Sequence, residues 1–333
     1  MNVFEKSFKA IWQLGLPKIW FFALYQIRLQ TGHYRRVTPS QPEPYHGKPA
    51  LAPFPLFPTV SQKLLEQTLK LADEIQEGRF RPFDGEPRTL DLQAGASNQH
   101  WSILEKIPPE KDLKFIWEPG RFAWALTLAR AYAFSRNPVY ARDFWAKTAA
   151  FLAAHPLNLG RQWQSAQEVA IRLMVLTFCD RVFAPVLQES QRQQLWTAIA
   201  EHALRIPPTL VYARAQNNNH LLTEAAGLYT AGLYLADHPQ AEKWRRLGLH
   251  WLNWGFQNQI DDFGTYTQHS ANYHRLMLQV ALFADHLRRL ANAPDWPLST
   301  QSKLAAATRR LWALADPLTG QAPNLGANDG AYL

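Results

Sequence analysis

Gln216–His220 reads QNNNH, and an apolar run from Leu221 to Leu235 follows it directly. Consecutive asparagines suit neither a helix interior nor a strand, because their side chains compete with the backbone for its hydrogen bonds. They suit a helix N-terminus, where a side-chain oxygen accepts an orphan backbone N–H. One asparagine completes a cap. Asn217, Asn218 and Asn219 with His220 set amide donors and an imidazole at the positive end of a helix dipole, where negative charge is stabilised. The plain alternative is a polar turn with surplus caps.

Three further clusters fall at expected helix starts. In Gly264–Gln279 (GTYTQHSANYHRLMLQ), Tyr273 lies between Asn272 and His274, ahead of an apolar face of Leu276, Val280 and Phe283, with Ser270 as the expected cap. A tyrosine on that first turn points out of the end of a bundle. In Trp117–Phe122 (WEPGRF), Glu118 and Arg121 are three apart and expected to pair. In Arg161–Arg172 (RQWQSAQEVAIR), Trp163 and Gln164 precede a helix in which Glu168 and Arg172 form an expected i,i+4 pair. In a closed array of helical hairpins, alternate helices begin at the same end, so these first turns line one mouth. The expected site gathers Arg121, Asn219, His220 and Tyr273. Glu118, Asn217, Asn218, His269 and His274 surround them, with Trp163 and Tyr266 as aromatic lining.

The elements that must position these residues are helices. After an aromatic and basic N-terminal segment, Thr38–Pro58 holds seven prolines, which exclude regular structure. Leu65, Leu69, Ala72 and Ile75 then mark one helical face, ended by Gly78. Residues 80–114 carry turn signals. From Lys114 onward, alanine- and leucine-rich segments recur between Pro, Gly and Asn breaks, predicting helices near 118–135, 138–154, 164–185, 190–205, 219–236, 240–258, 271–291 and 297–315. This rhythm predicts an all-α array, closed or curved, with strand nearly absent. The organisation expected is an N-terminal helix and proline-rich link over 1–58, a helical body over 59–315, and a polar, glycine-rich 316–333 with nothing to fold against, read as the start of another domain.

Composition narrows the partner. A net charge of +8 favours an acidic ligand. The basic residues form scattered pairs such as Arg35–Arg36 and Arg309–Arg310, without a long run or a nucleic-acid-binding motif, so nucleic acid is disfavoured. Thirteen tryptophans suit the apolar faces of sugar rings. Cys179, alone in an apolar run, is expected to be a buried thiol. The apolar run Ile19–Tyr25 is too short to span a bilayer and precedes no cleavage site. It is read as a helix lying against the body, with a membrane surface as the alternative. His269 and His274 near Asp261 and Asp262 match no compact metal motif, no GxSxG is present, and no cofactor is expected.

In this order the clusters resemble the heparinase II/III family of polysaccharide lyases and related alginate lyases. The resemblance runs through LGLPKIW, YRRVTP, KFIWEPGRFAWALTLARAY, QWQSAQEVAIR, NNNHLLTEAAGLY, GTYTQHSANYH and ANDG, and covers most of the chain. It implies an (α/α) toroid, here incomplete, followed by an antiparallel β-sandwich with the cleft between them. It also implies cleavage of uronic-acid polysaccharides by β-elimination, and a periplasmic or secreted bacterial setting. The family's Asn–His falls on Asn219 and His220, its catalytic tyrosine on Tyr273, and the arginine of WExxR on Arg121, a substrate-binding position. Gln268 departs from the acidic residue expected there. The sandwich is absent from this sequence, so weak binding and poor turnover are expected of it alone.

The chemistry fits these residue types. Removing the C5 proton of a uronate creates an enolate that amide donors at a helix N-terminus stabilise. Histidine ordinarily titrates at about 6.5 and tyrosine at about 10, so His220 serves as base and Tyr273 as acid, or Tyr273 as both for the opposite epimer. The competing readings are an inverting hydrolase, for which Asp261, Asp262, Glu118 and Asp329 are the only suggestive acids, and a non-catalytic polysaccharide-binding protein.

Overall fold

A computed structural model describes residues 15–41, 43–53, 59–105 and 112–328. Asp329, one of the acids considered above, lies outside them, as does part of the final ANDG.

Thirteen α-helices are present among the described residues. The N-terminal segment forms α1 (Leu16–Gln30) and α2 (His33–Val37), and after the proline-rich link comes α3 (Gln62–Gln76). Ser61 caps α3 through a bond from the Leu64 N–H. One antiparallel pair of two-residue strands, β1 (Arg79–Phe80) and β2 (Arg88–Thr89), follows. Next come α4 (Leu113–Trp117), α5 (Ala123–Ser135), α6 (Val139–Ala154), α7 (Ala166–Phe183) and α8 (Glu189–Arg205). The remainder is α9 (Leu210–Gln216), α10 (Asn219–Tyr234), α11 (Ala241–Asn258), α12 (Ala271–Leu290) and α13 (Leu298–Leu314).

These helices make two layers of an incomplete toroid. In the inner layer α5 packs on α7, α7 on α10, and α10 on α12; α6, α8, α11 and α13 back them from outside. Burial explains the assignment. Every residue of α7 except Phe178 is buried, and every residue of α10 except His220. A helix covered all round belongs inside. The tightest crossing is α10 on α11, where glycines let the backbones meet: a Cβ on Gly248 would overlap the Tyr229 N–H group and Ala225 carbonyl.

The expected helix near 118–135 is two pieces. Phe122 sits at φ 62°, and that left-handed residue separates a 3-10 turn at Glu118–Arg121 from α5. The sequence also hid α9, which the Pro207–Pro208 break conceals. The C-terminal segment does find something to fold against. The Ala271 N–H donates to Leu325 O (2.9 Å) and the Ser270 hydroxyl to Ala327 O (2.5 Å), so residues 325–327 cross the start of α12.

Candidate functional site

The four inner helices begin at one end, and their first residues are linked in order around it. The link from α5 to α7 is ionic. Arg121 Nε and Nη2 donate to the two carboxylate oxygens of Glu168 at 2.7 and 2.8 Å, and Nη1 donates to Glu118. Glu168 and Glu118 are 2% and 6% exposed, so this fork holds two buried carboxylates with one guanidinium. Burial pushes the Glu118 carboxyl up from its ordinary range, against the pull of Arg121.

Glu168 therefore pairs with Arg121 and not, as its spacing suggested, with Arg172. The i,i+4 expectation failed because the fully buried Arg172 guanidinium is committed to other partners. There its Nη1 donates to Gly120 O (2.9 Å), its Nη2 to Gln162 O (2.9 Å) and its Nε to His202 Nε2 (2.7 Å). His202 Nδ1 faces Ala198 O at 2.7 Å, which fixes the tautomer with the proton on Nδ1. Arg205 performs a matching task, donating twice to Trp163 O (3.1 and 2.9 Å) and stacking 3.8 Å from the Trp101 ring centroid. Two buried arginines thus clamp the turns that carry Glu118, Arg121 and Trp163. Gly120 has to be glycine, since a Cβ would strike Gln162 Oε1.

The start of α10 sits beside this ionic cluster. Asn217, at φ 47°, ends α9 and reverses the chain. Asn218 is the cap: its Oδ1 accepts from the His220 N–H at 3.0 Å. Asn219 is buried, and its N–H donates to Gln268 Oε1 at 3.1 Å, joining α10 to the loop before α12. His220 alone on its helix is only partly buried. Burial of most of the ring pushes the imidazole down to about 4; Glu168 pulls the other way and Arg121 adds to the fall. At neutral pH the ring is uncharged.

Behind the asparagines, Gln259 Nε2 donates to Asn217 Oδ1 (3.1 Å) and Asn218 O (3.2 Å), and its Oε1 accepts from the Tyr266 hydroxyl (3.3 Å). The start of α12 completes the ring. Ser270 caps it through the Tyr273 N–H (3.2 Å), and Tyr273 is partly exposed. Burial raises the Tyr266 phenol, and the nearby Tyr273 phenol adds to the rise, which places these two tyrosines together.

The structure thus brings Glu118, Arg121, Asn217, Asn218, Asn219 and His220 to one end of the bundle, with Tyr266 and Tyr273 on the adjoining loop and helix start. Other expected residues sit elsewhere. Trp163 and Tyr266 are 2% and 1% exposed, so neither offers a ring face to a sugar; both are packing behind the site. His274 is buried, with Nε2 at 2.9 Å from Ala307 O of α13. His269 is exposed, at φ 48°. Arg121 has three of its donor nitrogens committed to carboxylates, which makes it first a brace for the site. Sequence reading missed Gln259 and Arg205, which belong to no motif and act through backbone carbonyls or amides brought close only by folding. A cavity of about 590 Å3 is bounded by Glu118, Arg121, Leu126, Ile171, Met174 and Phe283, between α5, α7 and α12.

Residues 66–306 match the model of the heparinase II/III N-terminus. Two heparin-sulfate lyases are similar in sequence. That of Pedobacter heparinus is 24% identical over 232 residues, which are 68% of this chain and 33% of the relative. That of Bacteroides stercoris is 22% identical over 234 residues, covering 63% and 33%. The matched region therefore spans about a third of the length of these curated relatives. Among solved structures, heparinase III superposes with a TM-score of 0.61 at 18% identity, covering 92% of this chain and 46% of that one. A heparan sulfate lyase from Pedobacter heparinus gives 0.58 at 19% identity, covering 96% and 47%. With the family model matched across most of the helical body and the fold shared with these neighbours, the chain belongs to the heparinase II/III family.

Proposed function

We propose that this chain is the helical part of a polysaccharide lyase that cleaves a uronic-acid-containing acidic polysaccharide, of heparan sulfate type, by β-elimination. The observation that carries the reading is His220: a neutral imidazole, the one residue of α10 that is not buried, flanked by the buried Asn219 and by the Arg121–Glu168 pair. The net charge of +8 and the heparin-sulfate lyase names of the relatives support the substrate class.

In this reading the uronate carboxylate sits at the start of α10. The Asn219 amide and the helix dipole stabilise the enolate that forms when C5 loses its proton. Neutral His220 takes that proton, since an imidazole already protonated at pH 7 has no lone pair to offer. The Tyr273 phenol delivers a proton to the departing O4, and for the opposite uronate epimer serves as base as well. Inverting hydrolysis is less well supported. It needs two opposed, available carboxylates, whereas Glu118 and Glu168 are both bound to Arg121.

The test is a panel of heparan sulfate, alginate and a neutral glucan, followed by the ultraviolet absorbance of the unsaturated uronate product. A slow rise with heparan sulfate and none with the glucan is expected. New reducing ends without that absorbance, or no cleavage of any uronate polymer, would contradict the reading.

A further inference from the structure

Helix α1 is held to the body along one side. The Tyr25 ring stacks on Tyr212 of α9 with centroids 4.5 Å apart, and the Arg214 guanidinium lies 3.9 Å from the Phe21 ring centroid. At about 100° per residue, Leu16, Trp20, Ala23 and Ile27 fall within about 60° of one another, on the side opposite Tyr25. That side faces solvent: Leu16 is 68% exposed, Trp20 62% and Ile27 52%. Other tryptophans, Trp124, Trp163, Trp196 and Trp244, are fully covered. A rigidly mounted row of exposed leucine, tryptophan and isoleucine is a contact surface awaiting something apolar.

Charge says what that something is. From Lys6 to Pro42 the sequence contains no aspartate or glutamate, while Lys6, Lys9, Lys18, Arg28, Arg35 and Arg36 all fall within it. Arg35 and Arg36 are exposed on α2, immediately after α1. An apolar row with a tryptophan, flanked by basic residues and free of acidic ones, fits the boundary between anionic headgroups and acyl chains. No described helix is long and apolar enough to cross a membrane, so the geometry is that of a helix lying on one. We propose that α1 docks this protein on an anionic lipid surface. Leu16, Trp20 and Ile27 enter the headgroup–acyl boundary while Arg35 and Arg36 meet the lipid phosphates.

Sedimentation of the 333-residue chain with vesicles tests this. The chain should bind vesicles of phosphatidylglycerol and phosphatidylcholine, bind pure phosphatidylcholine far less, and release at high salt. The double substitution Trp20→Glu with Ile27→Glu should weaken binding to anionic vesicles at least about tenfold. The helical circular dichroism should stay unchanged, because both positions face solvent. Arg35→Glu with Arg36→Glu should weaken it by a similar factor. Three results would overturn the proposal: no binding to anionic vesicles at low salt, binding undiminished by the Trp20/Ile27 pair, or a dimer that the same pair disperses in the absence of vesicle binding.

Discussion

Arg121 and Glu168 stand 47 residues apart and are joined by two parallel N–H···O bonds of 2.7 and 2.8 Å. This fork ties the turn before one inner helix to the first turn of the next, beside the imidazole of His220. It is nearly dry, with side chains 12% and 3% exposed.

Breaking the fork leaves buried charge without compensation. Arg121→Ala strands both Glu118 and Glu168, and removal of one partner from such a cluster costs about 3–5 kcal/mol. A thermal melt should show a fall of many degrees. Arg121→Lys keeps the charge and loses the planar fork, so its melt should lie between the two. A melt for Arg121→Ala within a degree or two of the parent would contradict the assignment of this pair as a brace.

The pH response of His220 follows from its surroundings. Its folded pKa, about 4, lies below the ordinary histidine value. The unfolded chain therefore binds the proton more readily, and this site's contribution is fully present above about 6.5 and is lost as pH falls toward 4. In an NMR titration the His220 ring resonances should stay fixed between pH 8 and pH 6 and move only near 4. A midpoint near 6.5 would remove the neutral-base argument.

Glu224 gives the opposite sign. It lies one helical turn beyond His220, 2% exposed, and burial pushes its carboxyl up to about 8 against the nearby Arg205. The folded state keeps a proton that the unfolded state gives up above its ordinary value near 4.5, so stability at this site falls as pH rises from there to about 8. Glu224→Gln mimics the protonated form. It should melt higher than the parent at pH 8, with a smaller difference at pH 5. Equal shifts at both pH values would show that Glu224 is ionised in the fold.

Much of this organisation was legible in the sequence because it rests on short-range rules. Ser270 and the asparagine run announce caps, and alanine and leucine spacing announces the helices. Alternate helices of a hairpin array begin at one end, which is enough to gather the four clusters. What was not legible depends on which partner a long side chain reaches. Glu168 sits four residues before Arg172 and 47 residues after Arg121, yet it bonds to the latter, because the buried Arg172 goes where carbonyl oxygens converge. Trp163 and Tyr266 read as sugar platforms on composition alone, and only packing shows them covered. The αL conformation of Phe122 has no sequence signal, since a bulky aromatic is an unfavoured residue there.

Asn219 should matter to turnover more than to binding. Its proposed task is to stabilise charge that appears only in the transition state. Asn219→Ala should lower kcat on the order of 10²–10³-fold, by analogy with the loss of one oxyanion-hole donor. A change confined to KM would assign it to substrate binding alone.

The most direct measurement of the proposed mechanism is the rate of unsaturated-uronate formation from heparan sulfate by Tyr273→Phe beside the unaltered protein. The ring that packs is kept and only the proton donor is lost, so the effect should fall on the chemical step. The account predicts a kcat loss on the order of 10²–10⁴-fold or more, with KM nearly unchanged. Near-normal turnover by Tyr273→Phe would contradict it.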